Sequence, residues 1–159
     1  MRDLDEAFAS LERMLATACG LPRPAWLGAA RRAWARTGPP GPRTTAVVPI
    51  WRRPWMVLGR GTFAGDLLRR LGVDNLHADH AERYPAIPLP ELRAARPDLV
   101  VLPDEPYRFT ATDGPEAFPG TPAALVSGRH LTWYGPSLAE APEVLRAQLA
   151  APLPPADAD

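Results

Sequence analysis

The chain has 159 residues, 46% of them hydrophobic, and its 18 basic and 18 acidic residues cancel to a formal charge of zero. That length carries one ordinary core, and the charge balance removes the broad electrostatic case for nucleic acid or a membrane surface as partner. A lone cysteine, Cys19, excludes an internal disulfide; set among apolar residues at helical spacing, it reads as a buried bystander rather than a nucleophile. No run approaches the roughly 20 apolar residues of a membrane helix, so no membrane insertion is expected. All the basic residues are Arg, spread along the chain, which with the abundant Ala and Pro points to a GC-rich genome.

An amphipathic helix is predicted over residues 3–19, with Leu4, Ala7, Phe8, Leu11, Leu15 and Ala18 on one face. Asp3 and Glu6 have capping-box spacing, and Gly20 and Pro22 end the helix. A second helix is predicted over 25–36, with Trp26, Leu27, Ala30, Ala33 and Trp34 on its inner face, and Gly38 stops it. These form a helical segment, 1–38, followed by a Pro/Gly linker at 39–44. Residues 46–51 then read as one buried strand in which Pro49 demands a bulge or an edge position. Residues 54–58 form a short strand or extended loop. Thr62 is placed to cap a helix over 63–71, which Gly72 stops. Strands follow at 73–76, 98–102 and 123–126, with a short helix at 91–95 between the first two. The last helix is predicted over 137–150; Pro142 either kinks it or marks its true start. Strands alternating with helices give an α/β lobe over 45–150, Rossmann-like, with a mainly parallel sheet between helical layers. Residues 151–159 read as a disordered tail.

The chemical motifs are individually weak. Gly59-Arg60-Gly61-Thr62-Phe63-Ala64-Gly65 approaches a dinucleotide fingerprint, but Ala64 stands where the third glycine belongs, and Asp79, the nearest acidic partner, falls in a loop. His77 and His80, with Asp79 and Glu82 nearby, have a spacing that a zinc site can use, yet the segment reads as loop and lacks further ligands. Asp104-Glu105 directly follows the strongest strand, where α/β folds place catalytic or recognition groups. Ser127 lies near His130 without a nucleophile-elbow motif. No catalytic or metal-ligating residue is assigned. The aromatic residues form a clearer pattern. Trp51, Trp55, Phe63, Tyr84, Tyr107, Phe109, Trp133 and Tyr134 fall mostly at predicted strand ends, beside Gly, Pro or polar residues. As a set they predict a binding surface for a flat, partly apolar ligand.

Taken in order, these features resemble the carboxy-terminal lobe of the helical-backbone metal receptors. That group comprises the substrate-binding proteins of ABC importers that carry vitamin B12 or siderophores, in which two Rossmann-like lobes, joined by a long helix, hold the ligand between them. The resemblance rests on Tyr84-Pro85 before a helix at 91–95, Pro97-Asp98-Leu99-Val100-Val101, the stretch from Gly61-Thr62-Phe63 to Gly72, and Thr132-Trp133-Tyr134 before the final helix. It covers residues 45–150, and the two leading helices resemble the connecting backbone.

The resemblance implies non-covalent capture of a cobalamin- or siderophore-type metal chelate, with no intrinsic cofactor. Tyr84, beside Pro85, would stack on the ligand, and Trp133 and Tyr134 would flank it. Arg60 and Thr62 would face it from the first loop, and Asp104, Glu105 and Pro106 from another. It implies an ABC importer as partner and a separate first lobe as the other wall of the cleft. The family's transporter-docking acid has no direct match: Pro90 stands in its place, with Glu91 one residue later. As written, MRDLDEAF lacks the apolar core of a signal peptide, so the expected location is cytoplasmic, or extracytoplasmic if an upstream lobe and signal belong to the protein. The rival readings are a Rossmann-like enzyme domain using Asp104, Glu105 or His130, and a protein-interaction domain presenting the helix at 3–19.

Overall fold

The structure, a computed structural model, describes residues 1–17, 24–38 and 42–156; Ala18, Cys19, Gly20, Pro22 and the first half of the predicted linker, 39–41, lie outside them. Four parallel strands make the central sheet: β1 (Thr44–Val47), β4 (Val73–Asn75), β5 (Leu99–Pro103) and β6 (Ala123–Val126), in the order β4-β1-β5-β6. All five residues of β5 are buried, as expected of a strand covered on both faces. Its side chains alternate: Leu99 and Val101 enter one core with Ala46, Ala124 and Val126, while Val100 and Leu102 enter the other with Val47 and Ala123. The Rossmann-like α/β reading holds.

The first core is covered by helices α1 (Leu4–Thr17), α2 (Ala25–Ala35), α3 (Phe63–Arg70), α5 (Gly128–Thr132) and α6 (Ala141–Leu149). The leading helices are therefore not a segment apart from the lobe. Leu4, Ala7 and Phe8 of α1 and Leu27, Ala30 and Trp34 of α2 are buried in the same cluster as the sheet. Burial of each such side chain contributes on the order of 1.5–3 kcal/mol for the larger residues. The Trp34 indole N–H also donates to the Leu138 carbonyl at 3.0 Å in the interior. At the start of α1 the Asp3 carboxylate accepts from the Glu6 N–H at 2.7 Å, but Glu6 reaches back to the Arg2 N–H, one residue earlier than a full capping box requires.

Three expectations are corrected. Residues 46–51 are not one strand. Beyond β1 the chain leaves the sheet, and β2 (Pro49–Arg52) pairs antiparallel with β3 (Trp55–Val57), with an irregular register between Pro49 and Trp51. Proline, having no N–H for the ladder, stands at this break. The final helix begins at Ala141 rather than at 137, after a 3-10 turn over Pro136–Ala139, and of the two readings of Pro142 the second holds: it stands in the first turn and marks the true start. The expected disordered tail is tied down through residue 156. Leu153 and Ala123 exchange both backbone hydrogen bonds, at 2.8 and 3.2 Å, and Gly120 N donates to Ala156 O. The tail thereby covers the open edge of β6, which would otherwise present unpaired backbone groups. The short helix α5 had no counterpart in the sequence reading.

Candidate functional site

The carboxyl ends of the parallel strands open into a cleft of about 440 Å³. Each strand leads into one part of it. From β1 come Ile50, and through the hairpin Met56 and Leu58; the loop after β4 brings Tyr84; the loop after β5 brings Glu105 and Pro106; and α5, after β6, ends in Thr132-Trp133-Tyr134. Phe63 and Ala64, at the start of α3, complete the lining. In this strand order the chain runs outward from β1 to β4 and then crosses back to β5, and the crevice at that reversal is where open α/β sheets hold ligands.

The walls are held by the backbone. The segment 83–87 runs beside β3 as an added strand: Gly59 N donates to Arg83 O, Val57 N to Pro85 O and Ile87 N to Trp55 O, at 2.8–3.1 Å. This presents the Tyr84 ring from an ordered ribbon. A Cβ on Gly59 would fall 2.1 Å from Glu82 O and 2.9 Å from Pro85 Cδ, so only glycine permits this approach. Across the cleft, a Cβ on Gly128 would fall 2.6–2.9 Å from Glu105 atoms, so glycine lets the β5 loop pack directly against α5.

Three large aromatic side chains in the cleft remain half-exposed: Tyr84 at 46%, Trp133 at 58% and Tyr134 at 45%. Trp133 Nε1 donates to Glu105 Oε2 at 2.8 Å, which ties the indole to the β5 loop. Tyr134 meets Phe63 edge to face, with ring centroids 4.7 Å apart. Burial and the neighbouring Tyr84 push the Tyr134 phenol above its ordinary value, so it stays a neutral hydrogen-bond donor at physiological pH. Such a wall can stack on a flat ligand and hydrogen-bond at its edge.

Of the nine residues expected to touch a ligand, Tyr84, Glu105, Pro106, Trp133 and Tyr134 line this cleft. The other four are placed differently. Thr62 is buried, and its hydroxyl accepts from Gly65 N at 3.2 Å as the cap of α3. Pro85 is buried against Gly59 and accepts from Val57 N. The Asp104 carboxylate is taken up by the Gly128 N–H at 2.6 Å. Arg60 points its guanidinium toward Ala81 O, at 3.3 Å, outside the cleft lining. The apolar floor of Ile50, Met56 and Leu58 was not among the expected contacts; its signal is the apolar content of the two segments 46–51 and 54–58, whose pairing as a hairpin the sequence does not show.

The aromatic set also divides. Phe63, Tyr84, Trp133 and Tyr134 line the cleft, whereas Trp55, Tyr107 and Phe109 pack with Phe118 in the second core. Trp51 packs edge to face on Tyr107 at 5.6 Å.

The remaining polar motifs lie outside the cleft lining. His130 bridges Ser127 Oγ, at 2.8 Å, and Glu140 Oε1, at 3.0 Å. This looks like a Ser-His-acid relay, but none of the three lines the cleft, and the Gly128 N–H that would serve an oxyanion is already bonded to Asp104. The segment from His77 to His80 is a turn in which His80 Nδ1 accepts from Glu82 N. Among the described residues no group of three His, Cys, Asp or Glu side chains is placed to hold a metal ion.

No protein-family model matches the sequence, and no curated protein matches it. Solved structures do match. The chain is similar to Helicobacter pylori CeuE with Ni(II) bound, with a TM-score of 0.76 at 11% identity, covering 93% of this chain and 52% of that one. A periplasmic binding protein from Veillonella parvula gives a TM-score of 0.66 at 14% identity over 92% and 57% of the two chains. The fold is that of a periplasmic binding-protein lobe. The periplasmic vitamin B12-binding protein BtuF of Vibrio cholerae is also similar, with a TM-score of 0.55 at 13% identity, covering 79% of this chain and 49% of that one. The chain spans about half the length of these chains. None of its described helices is long and apolar enough to cross a membrane.

Proposed function

We propose that this chain is one half of a chelate receptor, capturing a cobalamin- or siderophore-type metal complex non-covalently. The observation that carries the reading is the convergence of Tyr84, Trp133 and Tyr134 on one apolar cleft at the strand ends. Half-exposed rings on ordered backbone gain contact area at little further entropy cost, which suits a rigid, flat-faced ligand. A first lobe would supply the opposite wall. Delivery to an ABC importer would then follow, at an extracytoplasmic site of action, as the solved relatives' description as periplasmic supports. Glu91, exposed in the first turn of α4 (Leu89–Ala94), is the acid available near the docking position.

The test is a titration of cobalamin and of a ferric siderophore into the chain, alone and with a separately expressed first lobe, read by tryptophan quenching and calorimetry. Saturable binding that tightens when the first lobe is present is expected. Binding in neither arrangement overturns the reading.

A further inference from the structure

The cleft holds one formally charged side chain. Its lining is Ile50, Met56, Leu58, Phe63, Ala64, Tyr84, Pro106, Thr132, Trp133 and Tyr134 around the carboxylate of Glu105. No arginine lines it, although the chain has 18 basic residues, all Arg. Behind the aromatic wall, Arg83 lies over the Tyr84 ring at 5.9 Å and donates to Met1 O at 2.7 Å. One oxygen of Glu105 accepts from the Trp133 indole; no hydrogen bond to the other is seen among the described residues. Glu105 is exposed in the free cleft, so solvent screens it there, and its field acts on a ligand's charge as the bound ligand and the apolar wall displace that water.

We propose that the cleft discriminates by charge: it accepts metal chelates that are neutral or cationic and disfavours anionic ones, with Glu105 as the residue that reads the charge. This rests on the chelate-capture reading and narrows its ligand class. A carboxylate-rich or tris-catecholate iron complex would bring negative charge against Glu105 with no cation in the lining to offset it. A corrinoid, whose periphery carries neutral amides, or a cationic hydroxamate complex, would not. The phenol hydroxyls of Tyr84 and Tyr134 make no hydrogen bond among the described residues and would serve neutral polar groups at the ligand's edge.

Four probes would be titrated into the 159-residue chain at low salt: cyanocobalamin (neutral), ferrioxamine B (cationic), haemin (anionic through its carboxylates) and a ferric tris-catecholate (anionic). The neutral and cationic probes are expected to bind about tenfold tighter than the anionic ones, with the gap shrinking as salt screens the carboxylate. Glu105→Gln removes the charge while keeping an acceptor for the Trp133 indole, and is expected to close most of the gap. An anionic probe that binds the wild type as tightly as the cationic one, or a gap that survives in Glu105→Gln, overturns the inference while leaving capture itself standing. Failure of all four to bind, both to the chain alone and to the chain with a separately expressed first lobe, overturns the capture reading and this inference with it.

Discussion

Trp133 and Glu105 are joined across the cleft by a 2.8 Å hydrogen bond from the indole Nε1 to the carboxylate. They are 28 residues apart in sequence; Trp133 stands at the end of α5 and Glu105 in the loop after β5. The bond sets the position of the most exposed aromatic ring in the cleft, Trp133, at 58% exposure. Glu105→Ala is therefore expected to weaken chelate binding by about 1 kcal/mol beyond any charge effect, through a loosened indole. Trp133→Phe keeps a ring but removes the donor. In a double-mutant cycle the second change should cost much less than it does alone, and strictly additive losses would show that the bond does not organise the wall.

Tyr84 presents its ring to the cleft from the ribbon at 83–87, and nearly half of it is solvent-exposed. Tyr84→Ala should lower chelate affinity by about 1 kcal/mol or more while leaving the urea midpoint nearly unchanged. A stability loss as large as the affinity loss would mean that the ring is structural.

Gly59 and Gly128 are fixed by close approach, Gly59 to the carbonyl of Glu82 and Gly128 to the backbone of Glu105. Alanine at either is expected to destabilise the fold by about 2–3 kcal/mol in urea unfolding, and to distort the cleft, because backbone would have to move. Gly28→Ala is the control. Its Cβ would meet only the flexible end of Arg32, at 3.3 Å, and the change should be neutral or stabilise α2 by up to about 1 kcal/mol.

Trp34 holds α2 to the lobe through its bond to the Leu138 carbonyl. Trp34→Phe keeps most of the packing but strands a buried acceptor, and is expected to cost about 1–3 kcal/mol. Hydrogen exchange should show loss of protection concentrated in α2 and the turn over Pro136–Ala139.

Asp66 ties α1 to α3. Burial pushes its carboxyl up, but the Leu4 N–H and the Arg70 and Arg69 guanidiniums outweigh burial and hold it below its ordinary value. A carboxylate depressed in the folded state contributes stability that is fully present above its unfolded value, near pH 4, and is lost as pH falls through the lower folded value. Acid titration of stability should therefore steepen below about pH 4, and Asp66→Asn should flatten that limb while lowering stability at neutral pH. An unchanged acid limb would remove Asp66 from the account.

Much of the scaffold was legible because local rules and burial agreed. The apolar run of β5 matched a strand buried on both faces, and the Thr62-to-Gly72 frame of α3 satisfied periodicity and capping at once. So did the capping Asp3 of α1. Where two local rules pointed apart, as at Pro49, the strand assignment failed: an unbroken apolar run and a missing N–H donor are both satisfied once the chain changes sheets. The tail was misread because composition alone does not register the exposed edge of β6 that Leu153 covers.

The sequence by itself determined the alternating α/β elements with a mainly parallel sheet, a set of eight aromatics mostly at strand ends, and Glu105 as an acid after a strand; the family resemblance singled out Tyr84, Trp133 and Tyr134 among the eight. Only the tertiary structure decided how the polar and aromatic residues are shared out. Thr62, Pro85 and Asp104 are held by neighbours in the scaffold, and Trp55, Tyr107 and Phe109 close a second core. The physical reason is that a strand end marks a neighbourhood, whereas availability to a ligand depends on which hydrogen-bond and packing partners the fold brings there first.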